Sequence, residues 1–115
     1  MAAFDQSVMD FVEQQLAQGE EIVVCSIVWY EFLVGPINQN EIAFVLSFLA
    51  RAPITIDEPL AQQAAKLFNQ TGRARKRKTD TMIAATALAF GGRIATGNAQ
   101  DFQCFDPFGL KSVEI

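Results

Sequence analysis

Apolar residues recur at helical spacing near the start of the chain. Val8, Phe11, Val12 and Leu16 share one face behind Ser7, which predicts a helix from Ser7 to about Gln18 with Gly19 as its stop. The pattern then changes. Ile22-Val-Val-Cys25 is a short, β-branched apolar run, and Glu21 to Ser26 reads as a buried strand. Ser26 is placed to cap a short helix ended by Gly35-Pro36. A helix follows from about Gln39 to Ala50, with Ile42, Phe44, Val45, Leu46, Phe48 and Leu49 apolar, and then a short strand at Ile54-Thr-Ile56. Pro59 suits the first turn of a helix running to Gln70 and stopping near Gly72. Beyond a basic loop, Thr79 or Asp80 starts an alanine-rich helix over Met82 to Phe90, nearly free of charge and therefore buried on most sides. Gly91-Gly92 ends it. Arg93 to Thr96 reads as a strand, Asn98 to Phe102 as a short turn or helix, and Ser112 to Ile115 as a last strand.

Strands alternating with helices imply crossover connections and a parallel sheet covered on both faces. The expectation is a three-layer α/β/α fold in one domain of 115 residues, with parallel pairing among segments 22–25, 54–56, 93–96 and 112–115. In such sheets the working site lies outside the carboxyl ends of the strands. Glu31 follows the first of these segments, Asn98 and Asp101 follow the third, and Asp80 enters from a helix N-terminus.

Composition narrows the picture. Half of the chain is hydrophobic and ten residues are Phe, enough to fill a core and to exclude disorder. Cys25 and Cys104 are the only cysteines and there is no histidine, which leaves neither a disulfide framework nor a zinc site. A basic stretch followed by an apolar run is missing at the start, and no apolar segment reaches the roughly 18 residues of a membrane span, so a cytoplasmic protein is expected. The net charge of −4 argues against a surface coated for nucleic acid. Yet Arg73, Arg75, Lys76, Arg77 and Lys78 hold five of the nine basic side chains immediately before Asp80. A local basic patch beside acids suits an RNA-cleaving site, where cations hold phosphates and acids hold a metal. A solvated basic loop or a protein contact explains the same residues.

Each acid has two readings. Glu31 sits among Trp29, Tyr30, Phe32 and Leu33, where an unpaired charge needs either a metal or a basic partner. Asp80 either binds a metal or serves its helix N-terminus, which favours a carboxylate anyway. Asp101 either binds a metal or caps the turn after Thr96, and Asn98 is an oxygen donor or a turn residue. Glu13, Glu20, Glu21, Glu41, Glu58 and Glu114 read as solvated. Acids far apart in sequence but gathered at strand ends would hold a hard divalent ion such as Mg²⁺ or Mn²⁺, which activates water for phosphodiester hydrolysis.

These segments resemble the PIN-domain ribonucleases, in particular the VapC-type toxins of toxin–antitoxin pairs. Ser26 to Gly35 resembles that family's Ser-x-x-x-x-Glu-Leu-x-x-Gly, with Phe32 in the Leu position. Asp80 to Ala87 resembles an Asp opening an Ile-Ala-Ala-Thr-Ala helix. Ala95 to Phe102 resembles Ala-Thr-x-Asn-x-x-Asp-Phe, and Gly109 to Val113 a Gly-Leu ending. The resemblance implies a PIN-like fold and RNA endonuclease activity with Mg²⁺ or Mn²⁺. Glu31, Asp80 and Asp101 would be catalytic and metal-binding, with the last metal position filled from Asn98 or Asp101. Thr96 would orient a water or a phosphate, and Arg73, Arg75, Lys76, Arg77 and Lys78 would hold RNA. A cognate antitoxin and self-association into a homo-oligomer are the implied partners. The rival expectation is a PIN remnant that binds an antitoxin or itself without cleaving.

The start departs from the family, whose first strand ends in Asp-Thr-Asn or Asp-Thr-Ser. Phe4-Asp-Gln-Ser-Val8 echoes such an ending, but Asp5 stands only 26 positions before Glu31, too few for the intervening elements. The sequence therefore predicts that the first strand and first acid are missing, and that the chain as it stands binds metal weakly and cleaves slowly or not at all.

Overall fold

A computed structural model of the chain describes residues 6–115; Asp5, the echo of a first acid, lies outside the described residues. The chain divides into two units, Met1–Thr55 and Ile56–Ile115.

In the first unit α1 spans Gln6–Ala17 and turns Val12 inward. Gly19, at φ +80°, ends it, and the Glu20 N–H bonds back to the Gln15 carbonyl. The apolar run that follows is extended but does not form a regular strand. Cys25 makes a single parallel bridge to Ile54. Around it the Ile54 N–H donates to the Val24 carbonyl at 2.8 Å and the Ser26 N–H to the Ile54 carbonyl at 2.8 Å. The two expected strands at 22–25 and 54–56 thus shrink to one bridge, for local reasons. The Ile22 carbonyl is taken by the Ala50 N–H, and the chain becomes helical at Ser26, so the ladder cannot extend at either end. α2 covers Ser26–Leu33, and Cys25, not Ser26, occupies its cap position without a side-chain bond. α3 covers Gln39–Phe48 and opens on a capping box that the spacing of apolar residues does not announce. Asn38 Oδ1 accepts from the Glu41 N–H, and Glu41 Oε1 accepts from the Asn38 N–H.

In the second unit α4 spans Glu58–Gln70. Asp57 caps it by accepting from the Leu60 N–H, and Pro59 sits in its first turn. α4 packs along α5, Lys78–Ala89, which begins two residues before Asp80. α5 is built from small residues because it is enclosed: Thr81, Ala84, Ala85 and Thr86 are all buried. The two threonine hydroxyls are satisfied within the helix, Thr81 donating to the Arg77 carbonyl at 2.6 Å and Thr86 to the Met82 carbonyl at 2.9 Å. Strands β1, Arg93–Thr96, and β2, Lys111–Glu114, pair in parallel with Arg93 opposite Lys111 and Thr96 opposite Glu114. Gly92 permits this close approach: its φ is +75°, and a Cβ there would meet the Gly109 carbonyl oxygen at 3.1 Å.

The connection between the strands is a 3₁₀ helix, Ala99–Phe108, longer than the short turn expected at 98–102. Its length follows from its spacing. A 3₁₀ helix has three residues per turn, so Phe102, Phe105 and Phe108 fall on one face. Phe102 and Phe105 enter the core with Leu67, Ala84 and Leu110. Among the described residues two pairings form, Cys25 with Ile54 and β1 with β2; both are parallel, and helices make both connections. This is a small α/β fold with parallel pairing.

Candidate metal centre and its basic flank

Parallel pairing brings the ends of β1 and β2 together, and the turn that leaves β1 carries two of the expected site residues. Asn98 donates from Nδ2 to Asp101 Oδ2 at 2.6 Å. The Asn98 N–H donates to Thr96 Oγ1 at 3.1 Å, and the Asp101 N–H to the Asn98 carbonyl at 3.1 Å. Asp101 is exposed in the first turn of the 3₁₀ helix, where helix polarity favours a negative charge. The expected alternatives for Asp101 and Asn98 are therefore linked: the amide of one fixes the carboxylate of the other. Asp101 Oδ1 and Asn98 Oδ1 keep their lone pairs free of hydrogen bonds among the described residues. Thr96 Oγ1 receives the Asn98 amide, which leaves its hydroxyl proton to donate elsewhere.

Asp80 is half-buried in the first turn of α5, a helix that also packs against β1 and the 3₁₀ helix. The cap position, Arg77, supplies no side-chain bond to the α5 N-terminus. Glu31 belongs to the other unit, on α2. Its side chain is exposed, so burial does not demand the partner that its apolar neighbours suggest. It makes no hydrogen bond or ion pair among the described residues, and it lies in the last turn of α2, where helix polarity disfavours an anion.

Among the described residues, neither unit gathers three or more Asp, Glu or Cys side chains into a metal-holding group. The donors that the second unit does carry are all oxygens, which is the chemistry of a hard divalent ion. Mg²⁺ is ordinarily held by one or two carboxylates with water and phosphate completing its shell. Asp80, Asp101 and Asn98 fit that requirement by type.

The basic segment divides into two groups. Arg73 has φ +57°, donates to Asn69 Oδ1, and lies with its guanidinium carbon 5.5 Å from the Phe68 ring centroid. Arg77 donates to the Thr71 carbonyl at 3.1 Å, at the C-terminal end of α4. These two side chains shape the loop. Arg75, Lys76 and Lys78 are exposed around the 3₁₀ turn Arg75–Arg77 and the start of α5, with no hydrogen bond or ion pair among the described residues. Sequence alone does not separate these groups, because Arg73 and Arg77 look like their neighbours until the end of α4 is placed.

A chain with acids after a parallel strand and at a helix start, flanked by exposed cations, has the outline of a metal-dependent nuclease. The comparison with protein families agrees. The PIN domain model matches residues 2–104, and the chain belongs to the PIN domain family. PIN domains are typically metal-dependent nucleases that use Mg²⁺ or Mn²⁺. No curated protein matches the chain. Among the described residues, no helix is long and apolar enough to cross a membrane.

Proposed function

We propose that this PIN domain is a metal-dependent RNA endonuclease of the VapC-toxin type, acting in the cytoplasm and restrained by a cognate antitoxin protein. The observation that carries the reading is the turn from Thr96 to Asp101, which presents a carboxylate and an amide oxygen at the carboxyl end of a parallel strand. Asp80, Asp101 and Asn98 are the residues of the second unit that would hold Mg²⁺ or Mn²⁺, and Glu31, on the first unit, is the further acid that the family resemblance implies. The bound ion supplies an activated water and offsets charge on the scissile phosphate. The protein's own groups do the rest. Asn98 keeps the Asp101 carboxylate in place, and the Thr96 hydroxyl donates a proton to a water or a phosphate oxygen. Arg75, Lys76 and Lys78 hold the RNA backbone by charge, while Arg73 and Arg77 keep that loop in shape.

A second reading, a non-catalytic PIN remnant that binds an antitoxin or its own copy, draws on Tyr30 and Val34 of the first unit, each 65% exposed. Incubating labelled single-stranded RNA with Mn²⁺ or Mg²⁺, against an EDTA control and Asp80→Asn, separates the two. Ion-dependent cleavage lost in Asp80→Asn supports the enzyme. No cleavage, together with a stable homo-oligomer by light scattering, supports the remnant.

A further inference from the structure

Glu114 has no assigned role: it stands beyond residues 2–104 that the family model matches, and it reads in sequence as a solvated end residue. Its carboxylate is engaged. Glu114 Oε1 accepts from the Ala99 N–H at 3.2 Å, a contact between residues 15 apart in sequence. The register explains how. Glu114 is the parallel partner of Thr96, and the Ile115 N–H donates to the Thr96 carbonyl at 3.0 Å, which fixes the end of β2 beside the end of β1. Two register partners thus supply side-chain oxygens to two consecutive amides of the same turn: Thr96 Oγ1 to Asn98 and Glu114 Oε1 to Ala99. A turn of this kind is ordinarily held by its own sequence. Here one of the turn's hydrogen bonds comes from the neighbouring strand.

We propose that Glu114 is a positioning residue, which acts through the Ala99 amide to fix the turn that presents Asn98 and Asp101. The inference rests on the proposed metal site for its consequence, and on hydrogen-bond geometry alone for its existence. Glu114 needs only an acceptor oxygen to do this work. Gln keeps that oxygen and loses the charge; Ala loses both. The distinction separates positioning from direct binding of a cation, which requires the carboxylate charge.

Wild type, Glu114→Gln and Glu114→Ala are compared by amide hydrogen exchange at Ala99 and by Mn²⁺-induced broadening of the amide resonances of residues 98–101. Glu114→Ala should expose Ala99 to faster exchange and weaken Mn²⁺ binding by about tenfold, the lower end for loss of a group that orients a ligand. Glu114→Gln should keep Ala99 protected and Mn²⁺ affinity near that of wild type. Unchanged exchange at Ala99 in Glu114→Ala overturns the inference, whatever the metal does. So does a loss of Mn²⁺ binding in Glu114→Gln with Ala99 still protected, since charge would then be what matters. Absence of Mn²⁺ broadening in wild type sinks the metal reading by itself, and exchange at Ala99 still decides the role of Glu114.

Discussion

Replacing Phe105 with Ala tests how the 3₁₀ helix that carries Asp101 is anchored. Phe105 is 0% exposed, packs in the cluster of Leu67, Ala84, Phe102 and Leu110, and lies 6.0 Å from the Phe102 ring centroid at 51°. A buried Phe removes about 150–250 Å² from water. At about 25 cal/mol per Å² that is roughly 4–6 kcal/mol for the whole side chain, of which Ala retains a small part. A rigid surrounding adds the cost of a cavity, and measured Phe-to-Ala changes in cores fall at about 3–5 kcal/mol. A chain of this length has a total stability of roughly 6–17 kcal/mol, so the loss would be a large share of it. Urea unfolding followed by far-UV circular dichroism measures the change, with Phe108→Ala as the control. Phe108 continues the same three-residue spacing but is 38% exposed, so by the same area its truncation should cost less, roughly 2–4 kcal/mol with no cavity to add. Equal losses for the two variants, or a loss under about 1 kcal/mol for Phe105→Ala, would refute the assignment of the helix face.

Changing Arg75, Lys76 and Lys78 together to Gln should weaken single-stranded RNA binding and lower the slope of log K against log salt by about 2, at about 0.7 for each phosphate no longer neutralised. Arg77→Gln should instead lower the melting temperature, since its guanidinium holds the Thr71 carbonyl. Gly92→Ala should cost roughly 1–2 kcal/mol in denaturant unfolding, because φ is +75° and the Gly109 carbonyl is close. Asn38→Ala, which removes the capping box of α3, should cost about 1 kcal/mol in the same assay.

Much of the second unit is legible in the sequence, because its signals are local. Gly91-Gly92 marks the end of α5, Arg93–Thr96 reads as a strand, and the alanine and threonine positions of α5 announce a helix enclosed on most sides. The 3₁₀ helix exceeds its expected length because its apolar positions do not follow a period of 3.6. The period of three at Phe102, Phe105 and Phe108 is the signal that marks it. In the first unit the β-branched run at 22–25 promises more pairing than the backbone grants, since the Ala50 N–H and the start of α2 take the neighbouring positions. Of the candidate site, Asp101 and Asn98 are legible from the family resemblance as alternatives for one position, and the hydrogen bond that joins them shows only in the fold. Glu114 is not, because only strand register brings it to Ala99. Glu31 stands out in sequence for an apolar neighbourhood that in the fold leaves its own carboxylate exposed.

Manganese binding followed by electron paramagnetic resonance tests the central claim most directly, with wild type compared with Asp80→Asn and Asp101→Asn. The account predicts one bound Mn²⁺ per chain, weakened by about tenfold or more in both variants. Wild-type affinity retained in both Asp80→Asn and Asp101→Asn would contradict it.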